Sequence, residues 1–184
     1  MKIEFMAVAA VFSLAAGGPA SAAAVVFGGG LAQECSHAAL AERSDAASIL
    51  GCDRALEIED LSTMDRAGTF INRGVMKLRR GEYEGAHADF DAGIALAPKL
   101  GEAWINRGAM FVGQRQFQAG LNDLNRGLEL GVREGEKAYF NRALAYEGLD
   151  DEKSAYLDYQ QALALKPDWP LPQRELLRFT VTRR

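Results

Sequence analysis

The sequence predicts an all-α protein: a solenoid of stacked helical hairpins closed by a C-terminal capping helix. Three observations predict it. A short phrase returns three times, as Phe70-Ile71-Asn72-Arg73-Gly74, Trp104-Ile105-Asn106-Arg107-Gly108 and Tyr139-Phe140-Asn141-Arg142-Ala143. The spacing is 34 positions from Asn72 to Asn106 and 35 from Asn106 to Asn141, a period that belongs to stacked helical units. Within each copy small and large residues alternate at fixed places, as two closely approaching helices require.

Composition is compatible with that architecture. The 184 residues are 48% hydrophobic and 25% charged, enough for one domain with a sizeable core. The net charge of -4, with no basic stripe interleaved with aromatics, points away from nucleic acid.

The N-terminus reads as a targeting segment. Met1-Lys2 precedes an apolar run from Ile3 to Ala16, broken only by Glu4 and Ser13. Gly17-Gly18-Pro19 ends the run, and Ala20-Ser21-Ala22 places small residues where a signal peptidase needs them. The expectation is a signal peptide over 1–22, cleaved after Ala22, and a periplasmic or secreted product. The run is too short for a membrane anchor, no lipid-attachment pattern precedes Cys35, and no later stretch reads as a membrane span. Residues 23–30, ending in Gly28-Gly29-Gly30, are expected to form a flexible leader. No Gly-Lys-Ser/Thr follows them, so they are not a phosphate loop.

The repeats align with position 1 at Ala67, Gly101 and Glu136, giving units 67–100, 101–135 and 136–169. Position 4 is aromatic (Phe70, Trp104, Tyr139) and position 8 is small (Gly74, Gly108, Ala143). Position 20 is small (Ala86, Gly120, Ala155), position 24 bulky (Phe90, Leu124, Tyr159) and position 27 small again (Gly93, Gly127, Ala162). First helices are expected near 68–80, 102–114 and 137–147, and second helices near 84–97, 118–130 and 152–165. Gly81, Gly113 and Gly148 lie where left-handed caps would end the first helices. Gly131-Val132-Arg133-Glu134-Gly135 carries the extra residue of the middle unit.

A degenerate unit precedes these. Cys52-Asp53-Arg54-Ala55-Leu56 lines up with Phe90-Asp91-Ala92-Gly93-Ile94, which puts Cys52 at position 24 and Cys35 at position 7. The unit and its linker occupy 29–66, with helices near 31–42 and 45–58, Ser44 as N-cap, and Thr63 to Arg66 as extra residues. After Pro167, Trp169-Pro170-Leu171-Pro172 and the spacing of Leu176, Leu177 and Phe179 predict a helix near 171–180 within 170–184. Such a helix would cover the last unit's apolar edge.

This pattern resembles the tetratricopeptide-repeat (TPR) family over 67–169. The resemblance implies antiparallel helix pairs wound into a superhelix whose first helices line a concave groove. It also implies a protein or peptide partner in that groove and no cofactor, metal or catalytic role. In the family's geometry position 6 faces the groove, which places Asn72, Asn106 and Asn141 there. An asparagine ladder can bond an extended backbone through both its amide donor and its acceptor. Ile71, Val75, Ile105, Lys137 and Phe140 are the further groove candidates, the apolar ones as pockets for side chains. Family members that clamp a C-terminal carboxylate need five groove residues, of which only Asn106 and Lys137 match here; Ile71, Val75 and Asn141 do not.

The remaining reactive residues read as architecture. Arg73, Arg107 and Arg142 at position 7 face Asp89, Asp123 and Asp158 at position 23, one structural ion pair per unit. Cys35 and Cys52 face each other across the first hairpin, and in an exported chain they are expected to form a disulfide. Closing that loop contributes about 3 kcal/mol in the chain-entropy model. The alternatives are two buried thiols, or a metal site with His37 that lacks a fourth ligand at standard spacing. No nucleophile–base motif is present. The expected function is therefore a non-catalytic interaction module, a cell-envelope scaffold or assembly factor; the alternatives are a self-associating structural protein and, more remotely, a cell-wall enzyme.

Overall fold

Large residues opposite small ones pull each pair of helices into an antiparallel hairpin, and the hairpins stack in sequence order. The computed structural model describes residues 3–7, 20–24, 26 and 30–183. Among them are nine helices: α1 Gly30–Leu40, α2 Ala46–Ile58, α3 Thr63–Arg79, α4 Tyr83–Leu96, α5 Gly101–Gly113, α6 Phe117–Leu130, α7 Gly135–Gly148, α8 Glu152–Leu165 and α9 Pro170–Leu176. α1–α2, α3–α4, α5–α6 and α7–α8 are the hairpins, and α9 packs on α8.

The small positions are where the helices touch. A Cβ on Gly74 would lie 2.6 Å from the Phe90 ring, and one on Gly108 would lie 2.8 Å from Leu124. Glycine is required at both by close approach. Each hairpin core carries on into the next, so Ile71, Val75, Ala86 and Phe90 of α3–α4 share a cluster with Ala103 and Met110 of α5.

Several boundaries differ from the sequence expectation. Thr63 to Arg66 are the first turn of α3 rather than extra residues, because the Ser62 side chain accepts from the Asp65 N–H and caps the helix there. The cap of α2 is Asp45, not Ser44; its carboxylate accepts from the Ser48 N–H at 2.9 Å. The left-handed turn after each first helix falls at Gly81 (φ 77°), Arg115 (φ 62°) and Asp150 (φ 60°). Gly113 and Gly148 instead stay helical. All three turn residues occupy position 15, so the repeat fixes the turn even where no glycine is present to ease it.

The C-terminal helix spans Pro170–Leu176 and ends short of the expected Thr180. Phe179–Arg183 forms a strand, β2, antiparallel to β1 at Ile3–Ala7, with Phe5 opposite Val181. Phe-Thr-Val-Thr is a run of aromatic and β-branched residues, which favours strand over helix. Phe179 packs edge-on against Tyr156 and Tyr159, while Leu177 stays 86% exposed. This ribbon is the one departure from helix among the described elements. Most of the expected signal peptide (1–2 and 8–19), and residues 25 and 27–29 of the leader, lie outside the described residues.

Candidate functional site

The three asparagines stand in register on α3, α5 and α7, the first helices of successive hairpins. Each follows a residue that turns into its hairpin and precedes an arginine that turns toward the facing helix. At about 100° per residue the asparagine is left on the face that residues 20–24 cover.

An extended stretch of the chain's own N-terminal part lies across them. Asn141 accepts from the Ala20 N–H at 2.8 Å and donates to the Ala20 carbonyl at 2.7 Å. Asn106 does the same with Ala22, at 2.9 and 2.5 Å, and Asn72 with Ala24, at 2.9 Å both ways. Each side-chain amide therefore reads one residue's N–H and C=O together, as a neighbouring strand would. Two further groups fix the stretch: Lys137 Nζ donates to the Ser21 carbonyl at 3.0 Å, and the Ser36 hydroxyl donates to the Ala24 carbonyl at 3.1 Å. Beneath it, all three asparagines are fully buried. Ala22, the last residue of the expected signal peptide, is buried too; so are Ala23, Ala24 and Val26, so this part of the expected flexible leader is packed rather than free.

Sequence reasoning did not find Ala20, Ser21, Ala22, Ala24 or Ser36 as parts of the site. Alanine and serine carry no mark of an extended groove occupant, and the asparagine partners of Ala20, Ala22 and Ala24 lie 48 to 121 positions away in sequence.

The apolar groove candidates are core residues of their hairpins as well. Ile71 and Ile105 reach across their hairpins, where a Cβ added at Gly93 or Gly127 would meet them at 2.9 and 2.5 Å. Phe140 packs on Tyr159 and Trp169, with ring centroids 5.6 and 5.0 Å apart. One step along a helix from the asparagine brings Ile71 and Ile105 up to the small residue at position 27 of the facing helix. Ile71 and Val75 belong to the core cluster that also takes in Ala24, and Phe140 to the one against which Ala20 packs, so these three share packing with the seated segment. Lys137, the charged candidate, reaches the segment and also pairs with Glu134 at 2.5 Å.

Behind the groove runs a ladder of ions. Arg107 grips Asp123 through Nε and Nη2 at 2.7 and 3.0 Å, and its Nη1 donates to Asp91 of the preceding hairpin at 2.6 Å. Arg73 joins Asp89 and Asp53 in the same way, and Arg142 joins Asp158 and Asn125. The third partners Asp53, Asp91 and Asn125 all occupy position 25, a regularity the sequence contains. Each arginine also lies over its own position-4 ring, 5.3 Å from Phe70, 5.1 Å from Trp104 and 5.3 Å from Tyr139. The aromatic of the repeated phrase thus supports the arginine as well as the hairpin. For Arg107 and Arg142 the hydrogen-bonded aspartate raises the guanidinium pKa against the opposing effect of burial. For Arg73 burial is the largest influence, yet Asp89 and Asp53 outweigh it and the net shift is again upward.

In the first hairpin Cys35 and Cys52 are joined by a disulfide, Cα atoms 5.0 Å apart. Among the described residues no group of three His, Cys, Asp or Glu side chains could hold a metal ion, and no helix is long and apolar enough to cross a membrane.

Hairpins of this geometry, stacked in register with small residues at the crossings, define a tetratricopeptide-repeat solenoid. Comparison with solved structures gives the same fold. The chain is similar to the Arabidopsis OM64 TPR domain (23% identity, TM-score 0.60, covering 64% of this chain and 96% of that one). It is similar to MamA from Desulfovibrio magneticus RS-1 (20% identity, TM-score 0.62, covering 80% and 82%). It is also similar to the first TPR of Spaghetti (RPAP3) bound to HSP90 peptide SRMEEVD (24% identity, TM-score 0.59, covering 62% and 90%). No family model and no curated protein sequence matches the chain.

Proposed function

We propose that this protein is a non-catalytic interaction module that holds a partner polypeptide, extended, in its concave groove. The observation that carries this reading is the set of paired amide bonds from Asn72, Asn106 and Asn141 to alternate residues of one extended strand. Bonds to main-chain groups supply affinity without demanding a particular sequence. The first TPR of Spaghetti is bound to a peptide, which supports the use of this fold for the same purpose. The present groove offers amides and one lysine rather than a set of cations, so it suits a backbone in mid-chain better than a terminal carboxylate.

The place of work is outside the cytoplasm, as a cell-envelope scaffold or assembly factor. The apolar N-terminal run and its small-residue cleavage stretch support export, and a disulfide suits an oxidising compartment. A photo-cross-linking residue in place of Lys137, in the full chain in its native compartment, tests the reading. A polypeptide should be captured there, and capture should be lost when the three asparagines become alanine. Capture that ignores the asparagines, or that occurs only from exposed Gln160 on α8, would contradict it.

A further inference from the structure

The groove is already filled, and what fills it specifies what it selects. The occupant belongs to the same chain, and its direction opposes that of the repeats: Ala20 lies on α7, Ala22 on α5 and Ala24 on α3. Two extended residues advance about 6.6 Å, so one residue in two meets one asparagine per repeat along the inner face. Ala22 is 1% exposed and Ala24 2%, and Ala24 sits in the cluster of Ile71, Val75 and Phe90. A side chain beyond a methyl group would displace that packing. Each of the three clamped residues also donates its N–H, which proline cannot do.

We infer that residues 20–24 are a built-in occupant that closes the groove of the full chain, and that the outside partner is a segment of the same kind. That segment is extended, carries alanine-sized side chains and free N–H groups at alternate positions, and runs from the third repeat to the first. This rests on the groove reading above and adds two things to it: competition from within, and selection by size. It also gives the expected cleavage after Ala22 a consequence. Removing residues 1–22 would take the occupant off Asn141 and Asn106 and leave only Ala24 on Asn72, opening most of the ladder.

The test compares the full chain with its A20P/A22P/A24P variant, which loses the three N–H donors while keeping the asparagines. The probe is a fluorescein-labelled peptide with the sequence of residues 18–26, Gly-Pro-Ala-Ser-Ala-Ala-Ala-Val-Val. The variant should bind it at least about tenfold more tightly than the full chain does, a difference of about 1.4 kcal/mol. Peptides carrying Ala22→Leu with Ala24→Leu, or Ala22→Pro with Ala24→Pro, should each bind the variant at least about tenfold more weakly. Replacing the three asparagines by alanine in the variant should remove binding while its circular dichroism stays helical. Equal binding by full chain and variant would overturn the built-in occupant, and equal binding of the leucine peptide would overturn size selection. Sedimentation of the full chain as a dimer that the proline variant dissolves would also overturn the intramolecular assignment, since a second copy would then supply the strand. A helical variant that binds none of the peptides would overturn the inference, while Asn-dependent capture at position 137 would still uphold the groove.

Discussion

Replacing Asn106 by alanine removes the two bonds that hold Ala22, at the centre of the ladder. Ala22 is 1% exposed, so its N–H and C=O find no water while the segment stays seated. The segment can regain hydration only by lifting away. Two lost hydrogen bonds at their usual net value weaken its seating by about 1–3 kcal/mol. That is a roughly 5- to 150-fold rise in the open population. Amide hydrogen exchange in the full chain, followed residue by residue by NMR, reads this directly. Protection at Ala22 and Ala24 should fall by that factor, because the segment opens as a local unit. Protection inside α5 should hold, since its own hydrogen bonds and the Ile105 packing are untouched. Unchanged protection at Ala22 would refute the reasoning. So would an equal loss throughout α5, which would make Asn106 a core residue of the solenoid rather than a groove residue.

Three further perturbations probe the frame behind the groove. Asp123→Ala leaves Arg107 with Asp91 alone and should cost about 3 kcal/mol in urea unfolding, as breaking a largely buried pair does; a change within about 0.5 kcal/mol, as at an ordinary surface site, would show that the ladder is ornamental to stability. Cys35→Ser with Cys52→Ser should lower stability by about 3 kcal/mol through the loosened unfolded chain, seen as an earlier denaturation midpoint with the groove bonds intact. The Ser48 hydroxyl and N–H hold the Asp45 carboxyl down from 3.8 to about 2. A folded-state pKa below the unfolded one adds stability above the unfolded value, and that share is lost as pH falls from about 4 toward 2. Asp45→Asn should therefore flatten this part of an acid titration of the melting temperature and leave neutral pH little changed.

The hairpin core was legible in the sequence because packing leaves a periodic record. Gly74 opposite Phe90, Gly108 opposite Leu124 and the recurring Arg–Asp pair each repeat at the spacing of the unit, and Cys35 and Cys52 keep the 17-residue separation of positions 7 and 24 within it. The turn was harder to place: Gly113 and Gly148 drew attention as glycines, while Arg115 and Asp150 adopt the left-handed conformation because the repeat demands it at position 15. That Ile71, Ile105 and Phe140 also fill their hairpins was not legible from their place beside the asparagine, because neighbours on a helix differ by about 100° and a large side chain there reaches the facing helix. The occupant of the groove was least legible. Residues 20–24 carry a composition that export alone accounts for, and their partners lie 48 to 121 positions away in sequence. Nothing local marks an Ala-Ser-Ala-Ala-Ala stretch as a strand; the asparagine ladder makes it one.

The central claim is that Asn72, Asn106 and Asn141 grip an extended backbone two residues apart. Scalar coupling across the hydrogen bonds tests it most directly, measured in the isotope-labelled full chain between the amide nitrogens of Ala20, Ala22 and Ala24 and the side-chain carbonyl carbons of the asparagines. The account predicts a measurable coupling in each of the pairs Ala20–Asn141, Ala22–Asn106 and Ala24–Asn72. Its absence from all three, in a chain whose helices remain protected from exchange, would contradict it.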